Sequence, residues 1–189
     1  MTKEAYALAT RAVQAGAMAV RAYTKKGQTN GQTPNAHLDF KPTVTPIHPS
    51  VTYTYDRMED LEGVFAGTRE GYVYARHGSP TVAALEATVA SLAEGETALA
   101  FSSGMAAVHA ALLAAGARAG ATILAARDIY GTTYALLQGL LNAQGVTTHF
   151  VDATDRQAVA SACAAAKPAI LFVETMSNPL LKLADLESL

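Results

Sequence analysis

Four short segments of the sequence carry residue types that can bind anions or planar ligands. The first, Ser102-Ser103-Gly104-Met105, places two hydroxyls and a glycine between a predicted strand and a predicted helix. The free N–H groups of a helix N-terminus attract an anion, and the glycine lets that anion approach the backbone. The segment therefore predicts a phosphate cradle, while a tight turn with serine as the N-cap explains the same residues.

The second and third segments carry an aromatic ring and a carboxylate. Tyr130 precedes Gly131, at a point where its ring can stack on a planar ligand. Glu174 and Asn178 follow a predicted strand, and a carboxylate in a crevice usually has a partner or a function. Two simpler interpretations stay open: a half-buried tyrosine in the second segment, and in the third a turn before Pro179 in which Asn178 bonds its own backbone.

The fourth segment combines phenols with a guanidinium. Strand-like alternation predicts that Tyr72, Tyr74 and Arg76 share one face of an extended stretch. A guanidinium beside a phenol suits bidentate recognition of a phosphate. A salt bridge at the surface is the simpler interpretation of Arg76.

These segments are expected to lie where the strands of a parallel sheet meet the following helices. Short apolar runs alternate with helical runs along the chain, which is typical of βαβ units. Ligands bind beyond the carboxyl ends of such strands. The predicted strands are Thr97–Phe101, Thr122–Ala126, Thr147–Val151 and Ala169–Val173. The predicted helices are Pro80–Gly95 with Ser79 as N-cap, Gly104–Ala115, Thr132–Gln144, Asp155–Ala166 and a last one beginning over Ala184–Leu189.

The first 60 residues are predicted to differ from the rest. A helix over Lys3–Tyr23 and a polar, Gly-containing linker over Thr24–Ala36 come first. An extended, proline-rich arm over Phe40–Tyr55 follows and needs a surface to lie on. We therefore divide the chain into residues 1–60, which hold the helix, linker and arm, and residues 61–189, an α/β domain.

Composition excludes several classes of function. Lys and Arg number 14 against 16 Asp and Glu, and 50% of the residues are hydrophobic, which disfavours disorder and a polybasic nucleic-acid surface. No apolar run suits a bilayer span or a secretory signal, so we expect a cytoplasmic protein without membrane contact. Cys163 has no partner for a disulfide and the histidines are scattered, so no metal site is predicted. His109 is expected to be a hydrogen-bonded core residue.

Taken together and in order, these segments resemble the pyridoxal-phosphate enzymes of cysteine and methionine metabolism. That family includes cystathionine γ-synthase, cystathionine β- and γ-lyases, methionine γ-lyase and O-acetylhomoserine sulfhydrylase. The resemblance implies an α/β fold: the large domain of a fold-type-I PLP-dependent transferase, truncated, with a mostly parallel sheet, flanking helices and an extended N-terminal arm. It runs from about residue 46 to 189 and is carried by Pro46–Tyr53, Tyr74–Thr81, Ser102–Ala107, Asp128–Thr133 and Glu174–Pro179.

The resemblance implies a role for the matched residues that follow the first two strands. Ser103, Gly104 and Met105 would hold the phosphate of pyridoxal 5′-phosphate at a helix N-terminus. Tyr130 would stack on the pyridine ring and act as a catalytic residue, assisting proton transfer or departure of the leaving group.

Roles for the remaining matched residues are also implied. Glu174 and Asn178 would line the cofactor site near the hydroxyl of the ring. Tyr74 and Arg76 would reach the phosphate of the neighbouring subunit's cofactor. The resemblance thus implies a homodimer with shared sites, within a homotetramer, acting on a small amino-acid substrate.

Two residues of the family pattern have no counterpart here. In the family, the Asp that pairs with the pyridine nitrogen and the Schiff-base Lys lie beyond the run Glu174–Pro179. No lysine of this chain lies in a segment that resembles the Schiff-base motif. The lysines are Lys3, Lys25, Lys26, Lys41, Lys167 and Lys182.

Two functions follow as expectations. The resemblance implies an enzyme that carries out β/γ-elimination or replacement on sulfur amino acids or activated homoserine, with the isolated 189-residue chain inactive. The alternative is a non-catalytic truncated paralogue or fragment that associates with a full-length subunit. A nucleotide-binding domain is disfavoured, because the chain contains neither a G-x-G-x-x-G loop nor a P-loop.

Overall fold

The structure is a computed structural model that describes residues 43–189. The predicted helix Lys3–Tyr23 and linker Thr24–Ala36 lie outside the described residues. The chain divides between Ala100 and Phe101 into two compact units. The described part of the first unit is residues 43–100, and the second unit is residues 101–189.

The arm of the first unit is extended where it is described, as predicted. Thr52 forms an isolated antiparallel bridge with Tyr74. Two backbone hydrogen bonds of 3.0 and 2.8 Å flank this bridge, from Tyr53 N to Val73 O and from Ala75 N to the carbonyl of residue 51. The surface on which the arm lies is therefore the segment that carries Tyr74.

Two helices belong to the first unit: α1 (Met58–Phe65) and α2 (Pro80–Leu92). The predicted start of α2 is confirmed, because the Ser79 side chain accepts a hydrogen bond of 3.3 Å from the N–H of Val82. The helix buries the small residues Pro80 and Ala84. Its larger apolar side chains are between 40% and 55% exposed: Val82, Leu85, Val89 and Leu92.

The predicted strand Thr97–Phe101 is wrong for the part of the chain that the structure describes. A strand exists through ladder hydrogen bonds to a neighbouring strand. The N–H of Ala100 instead donates to the Glu86 carboxylate at 2.8 Å. Leu99 is 75% exposed, so no packed surface holds the segment against a sheet.

The second unit is a parallel sheet with flanking helices. Its three strands are β1 (Thr122–Ala126), β2 (Thr147–Val151) and β3 (Ile170–Phe172). They lie in the order β2-β1-β3, and both pairings are parallel. In register, Leu124 of the central strand faces His149 on one side and Leu171 on the other. The elements in chain order are α3 (Gly104–Ala114), β1 (Thr122–Ala126), α4 (Gly131–Ala135), a π-helical continuation (Leu136–Leu141), β2 (Thr147–Val151), α5 (Arg156–Ala166) and β3 (Ile170–Phe172).

The core of this unit lies on both faces of β1. Ile123, Leu124 and Ala125 are each 0% exposed. Ile123 and Ala125 pack with Leu137 on one face, and Leu124 packs with Val159 of α5 on the other. Successive side chains of a strand point to opposite faces, so an entirely apolar strand suits a sheet that is covered on both sides.

The predicted helix Thr132–Gln144 is present but irregular. It is α-helical over Gly131–Ala135 and π-helical over Leu136–Leu141. Leu137 and Leu141 are both 0% exposed within the π-helical part. Runs of π-helix are rare and cannot be read from an apolar period, because tertiary packing decides where one forms.

The helix predicted to begin over Ala184–Leu189 is wrong. Residues 186–188 form a turn, closed by a 3.1 Å hydrogen bond from Ser188 N to Asp185 O. A segment this short does not offset the cost of nucleating a helix unless tertiary contacts hold it.

We predict that Gly71→Ala disrupts the first unit. A Cβ at this position would meet Tyr55 Oη and lie 2.7 Å from Val64 Cγ2. Tyr55 Oη donates to Tyr72 O at 3.0 Å, so the added methyl would push this bonded side chain aside. Overpacking of this kind costs about 1–3 kcal/mol. The control is Gly95→Ala, whose nearest neighbour lies 3.6 Å away.

Thermal or urea unfolding of both variants checks this prediction. Gly71→Ala should lower the midpoint and Gly95→Ala should leave it near that of the parent chain. Equal midpoints for the two variants would show that the space around Gly71 can accommodate a methyl group.

Candidate functional site

The N-terminus of α3 is open to an anion. Ser103 is its N-cap, in agreement with the simpler interpretation of this segment, and its Oγ accepts a hydrogen bond of 3.2 Å from the N–H of Ala106. The N–H groups of Gly104 and Met105 belong to the first turn, where a helix offers no internal acceptor. Gly104 is exposed and a Cβ there would meet nothing within 4 Å. The side of Gly104 on which other residues carry a side chain is therefore open.

A side-chain contact brings Tyr130 close to this helix N-terminus. Thr133 Oγ1 donates to Met105 Sδ at 3.8 Å. Thr133 is 2% exposed and lies three residues beyond Tyr130. The ring of Tyr130 belongs to a residue that is 51% exposed, so one side of it is accessible. The structure therefore brings the first and second predicted segments together.

The loop after β3 joins the same edge of the sheet. Glu174 Oε1 accepts a hydrogen bond of 3.0 Å from the backbone N–H of Tyr130. Asn178 is exposed and follows Ser177, which is 6% exposed. The structure thus brings Glu174 to Tyr130 through the backbone and places Asn178 in the same loop, at the surface.

Tyr74 and Arg76 lie in the first unit and are in contact with each other. The guanidinium carbon of Arg76 is 4.4 Å from the centroid of the Tyr74 ring, within cation–π distance. The extended stretch predicted to carry both residues is wrong beyond Tyr74. Residues 75–77 form a turn, closed by a 2.9 Å hydrogen bond from His77 N to Tyr74 O. The turn, rather than strand alternation, brings the cation over the ring.

An ion pair at the same sheet edge was not predicted. Lys182 Nζ lies 2.6 Å from Asp128 Oδ2, although 54 residues separate them. The hydrogen bond to Asp128 raises the pKa of Lys182 above its ordinary value of 10.5. Asp128 follows β1, and Lys182 lies in the loop after β3, which pairs with β1. This shared position after two neighbouring strands is the signal in the sequence that could have suggested the pair.

Asp152 directly follows β2, and its charge is stabilised locally. Thr154 donates to Asp152 Oδ1 through its hydroxyl at 2.6 Å and through its backbone N–H at 3.0 Å. These hydrogen bonds lower the pKa of the Asp152 carboxyl, the hydroxyl contributing most. Asp155, predicted as the first residue of α5, is its N-cap and accepts a hydrogen bond of 2.9 Å from Ala158 N.

His109 does not have the expected hydrogen bond on one of its nitrogens. Its Nε2 is buried without a partner among the residues described. The side chains one turn away on α3 are Met105, Ala106, Leu112 and Leu113, none of which offers a hydroxyl, amide or carboxylate. The apolar helix face therefore buries the His109 ring but offers its Nε2 no hydrogen-bond partner.

The donors at this edge fit a phosphorylated planar cofactor. Ser103 Oγ accepts from Ala106 N, which leaves its O–H free to donate to a phosphate oxygen. The charge of Lys182 is compensated by Asp128, whereas the helix N–H groups and the serine hydroxyls remain able to attract an anion. An accessible aromatic ring beside an anion site suits a ligand that has both a phosphate and a flat ring.

Two general features of the described residues, 43–189, bear on the type of site. No helix among them is long and apolar enough to cross a membrane. They also hold no group of three or more His, Cys, Asp or Glu side chains arranged to bind a metal ion.

Comparison with known proteins places these residues within one family pattern. The family model described as Cys/Met metabolism PLP-dependent enzyme matches residues 26–189, a range that contains every predicted site residue. The chain is 37% identical to the L-methionine gamma-lyase of Fusobacterium nucleatum over 144 residues. That alignment covers 76% of this chain and 36% of the relative, so the chain spans about a third of the protein it matches.

Two solved structures show the same fold. The metB structure from Corynebacterium glutamicum matches with a TM-score of 0.68 at 32% identity, over 92% of this chain and 40% of that one. A putative O-acetylhomoserine (thiol)-lyase from Campylobacter jejuni matches with a TM-score of 0.67 at 27% identity, over 77% of this chain and 36% of that one. The latter structure holds N′-pyridoxyl-lysine-5′-monophosphate. The predicted fold-type-I α/β architecture is confirmed.

We predict that Thr154→Ala raises the pKa of Asp152 toward its ordinary value of 3.8, because the variant loses the stronger hydrogen bond. In the parent chain the ionised carboxylate favours folding above that value, and this contribution is lost as pH falls through the lowered pKa. In the variant less of this pH-dependent stability remains. Thr154→Ser keeps the hydroxyl and is the control.

An NMR titration of the Asp152 carboxyl carbon checks the shift. The alanine variant should titrate at higher pH than the parent, and the serine variant should titrate with the parent. Identical titration of all three chains would show that the hydroxyl does not hold the charge.

Proposed function

The chain belongs to the Cys/Met metabolism PLP-dependent enzyme family, and we propose that it forms the phosphate- and ring-binding part of an enzyme that acts on a sulfur amino acid or an activated homoserine. The cofactor of the family is pyridoxal 5′-phosphate. One observation carries the proposal: the first turn of α3 touches the Tyr130 segment through Met105 and Thr133. An anion site and an accessible ring are thereby held side by side.

The residues of this chain bind the cofactor at its two ends. The N–H groups of Gly104 and Met105 and the hydroxyl of Ser103 bind the phosphate, aided by the dipole of α3. The Tyr130 ring stacks on the pyridine. Asn178 lines the hydroxyl side of that ring, and Glu174 borders the site while accepting the Tyr130 N–H.

Tyr130 also has a chemical role in this proposal. When bound, pyridoxal phosphate supplies an electron sink for negative charge at the substrate Cα. The phenol of Tyr130 holds or delivers a proton at its Oη, near the substrate side of the ring, for Cα proton transfer or for the leaving group. The reactions that need both functions are elimination and replacement at Cβ or Cγ.

The 189 residues by themselves do not turn over substrate in this proposal. A lysine that forms a Schiff base attacks as the neutral amine. The Lys182 ammonium is paired with Asp128 Oδ2 at 2.6 Å, and this contact favours the charged form over the neutral amine. Lys167 follows the C-terminus of α5, at the sheet edge opposite the site. Neither described lysine can therefore serve.

A second subunit completes the site in this proposal. Arg76 is exposed and stacked on the half-buried Tyr74, so a guanidinium and a phenol are presented together at the surface. This pair reaches the phosphate of a neighbouring subunit's cofactor, in a homodimer that is itself half of a homotetramer. The location that we propose is the cytoplasm, where an unpaired Cys163 stays reduced.

Association without catalysis is the second candidate function, and exposed apolar side chains favour it. Leu99 is 75% exposed and Leu85 of α2 is 55% exposed. Large apolar side chains that are open to water gain free energy when a partner covers them. Co-purification of the chain with a full-length homologue, without any gain in turnover, distinguishes this function from the first.

We predict that the chain binds pyridoxamine 5′-phosphate, which has the phosphate and ring but no aldehyde to react with surface lysines. Tyr130→Ala should weaken binding by roughly three- to tenfold, since an aromatic pair is worth about 0.5–1.5 kcal/mol beyond its buried area. Tyr130→Phe keeps the ring and should bind like the parent. Pyridoxamine, which lacks the phosphate, should bind far more weakly.

Isothermal titration calorimetry measures these affinities. Equal binding of pyridoxamine and its phosphate would contradict the phosphate site. Equal binding by Tyr130→Ala and the parent would contradict stacking.

We also predict that the purified 189-residue chain, supplied with pyridoxal phosphate, releases neither ammonia nor thiol from methionine or cystathionine. Both described lysines are unsuited to the reaction, for the reasons given above. Assays for the keto-acid product and for free thiol check this. Turnover above that of free cofactor would contradict the prediction.

A further inference from the structure

Two loops at the carboxyl edge of the sheet are fastened to each other at two points. The loop after β1 carries Asp128 and Tyr130, and the loop after β3 carries Glu174 and Lys182. Lys182 Nζ contacts Asp128 Oδ2 at 2.6 Å, and Glu174 Oε1 accepts the Tyr130 N–H at 3.0 Å. The backbone on either side of residue 129 is thereby held from the same neighbouring loop.

The loop that carries Lys182 is itself well ordered by hydrogen bonds. Met176 and Leu183 form an antiparallel bridge. Within it, Ser177 N donates to Lys182 O at 2.9 Å, and Lys182 N donates to Ser177 Oγ at 3.1 Å. Ser177 is 6% exposed. Both backbone groups of Lys182 are therefore attached to one buried residue, so its ammonium extends from a fixed base.

Tyr130, by contrast, is only partly covered by the described residues. The residue is 51% exposed, and Gly131 follows it with open space around its Cα. The direction of the ring therefore depends on how the backbone of residues 128–130 is held. We propose that Lys182 is a positioning residue for Tyr130, acting through its ion pair with Asp128 while Glu174 holds the Tyr130 N–H.

A ligand site is the other use that the pair could have, and the geometry argues against it. The recess lined by Asp128, Asp152, Glu174 and Lys182 has a volume of about 20 Å³, which is room for about one water molecule. Asp128 already compensates the charge of Lys182, and the Asp152 carboxylate already accepts a hydrogen bond from Thr154. The groups bind one another rather than a ligand.

Stability is a weak alternative role for the pair. The side chains of Lys182 and Asp128 are 42% and 26% exposed, and ion pairs open to solvent contribute little to folding because water and salt screen them. We therefore expect the pair to act on local geometry. It joins the loop after β1 to the loop after β3, and these two strands are already paired with each other.

The test follows the Tyr130 amide in the 189-residue chain by NMR. Lys182→Met keeps the aliphatic stem and removes the charge, and we expect exchange of the Tyr130 amide hydrogen with water to rise by roughly three- to tenfold. The Leu124 amide in β1 should keep its protection. Arg156→Met, which breaks the exposed pair with Asp185 at 4.0 Å, is the matched control and should leave Tyr130 unchanged.

A charge swap makes the test specific for the pair. The double variant Asp128→Lys with Lys182→Asp should restore slow exchange at Tyr130, whereas each single reversal should not. Tyr130 exchange in Lys182→Met equal to that of the parent would overturn the proposal. Failure of the swap to restore exchange, or loss of Leu124 protection in Lys182→Met, would overturn it as well.

This inference rests on the proposed function only in naming Tyr130 as the ring that meets the cofactor. The affinity for pyridoxamine 5′-phosphate, measured on the same variants, should fall with Lys182→Met and recover with the swap. If Tyr130 amide exchange changes in the variants as predicted but the chain does not bind this probe, the proposed function is refuted and the positioning role stands. Unchanged exchange with intact binding would refute the positioning role alone.

Discussion

The parallel pairing of β1 with both of its neighbours is the constraint on which the site depends. A central strand whose side chains are apolar on both faces must be covered by helices on both faces, and each helix must return the chain to the opposite edge of the sheet. The loops after β1 and β3 consequently emerge at one edge. Tyr130 and Glu174, 44 residues apart, are thereby brought to hydrogen-bond distance.

Several charged side chains at this edge are bound to neighbouring groups of the protein. Lys182 forms an ion pair with Asp128. The Glu174 carboxylate accepts a hydrogen bond from the Tyr130 N–H, and the Asp152 carboxylate accepts one from Thr154. Among the groups that can still meet a ligand are the first-turn N–H donors of α3, the hydroxyl of Ser103 and the accessible ring of Tyr130. An edge of this kind favours a phosphate with a flat ring attached, because the anion meets oriented dipoles and the ring meets an exposed aromatic face.

How much the sequence predicts depends on how locally each feature is determined. Strands Thr122–Ala126 and Thr147–Val151 were predicted at their observed bounds, because each is an apolar or β-branched run that pairs within the chain. Thr97–Phe101 has a similar composition and forms no strand among the described residues, because pairing requires a neighbour that composition does not reveal. The N-caps Ser79, Ser103 and Asp155 were predictable from short-range chemistry alone.

Long-range contacts were the part that the sequence did not predict. Asp128 and Lys182 carry opposite charges, yet so do many other pairs in the chain, and only the register of the sheet selects this one. The turn at residues 75–77 depends on consecutive backbone hydrogen bonds that alternation does not reveal.

The most direct test of the central claim is an NMR titration of the chain with pyridoxamine 5′-phosphate, followed residue by residue. We expect the largest changes in amide chemical shift at Gly104, Met105 and Tyr130, with little change in β2 or α5. Changes that avoid the N-terminus of α3, or that spread evenly over the surface, would contradict the claim that this sheet edge forms the cofactor site.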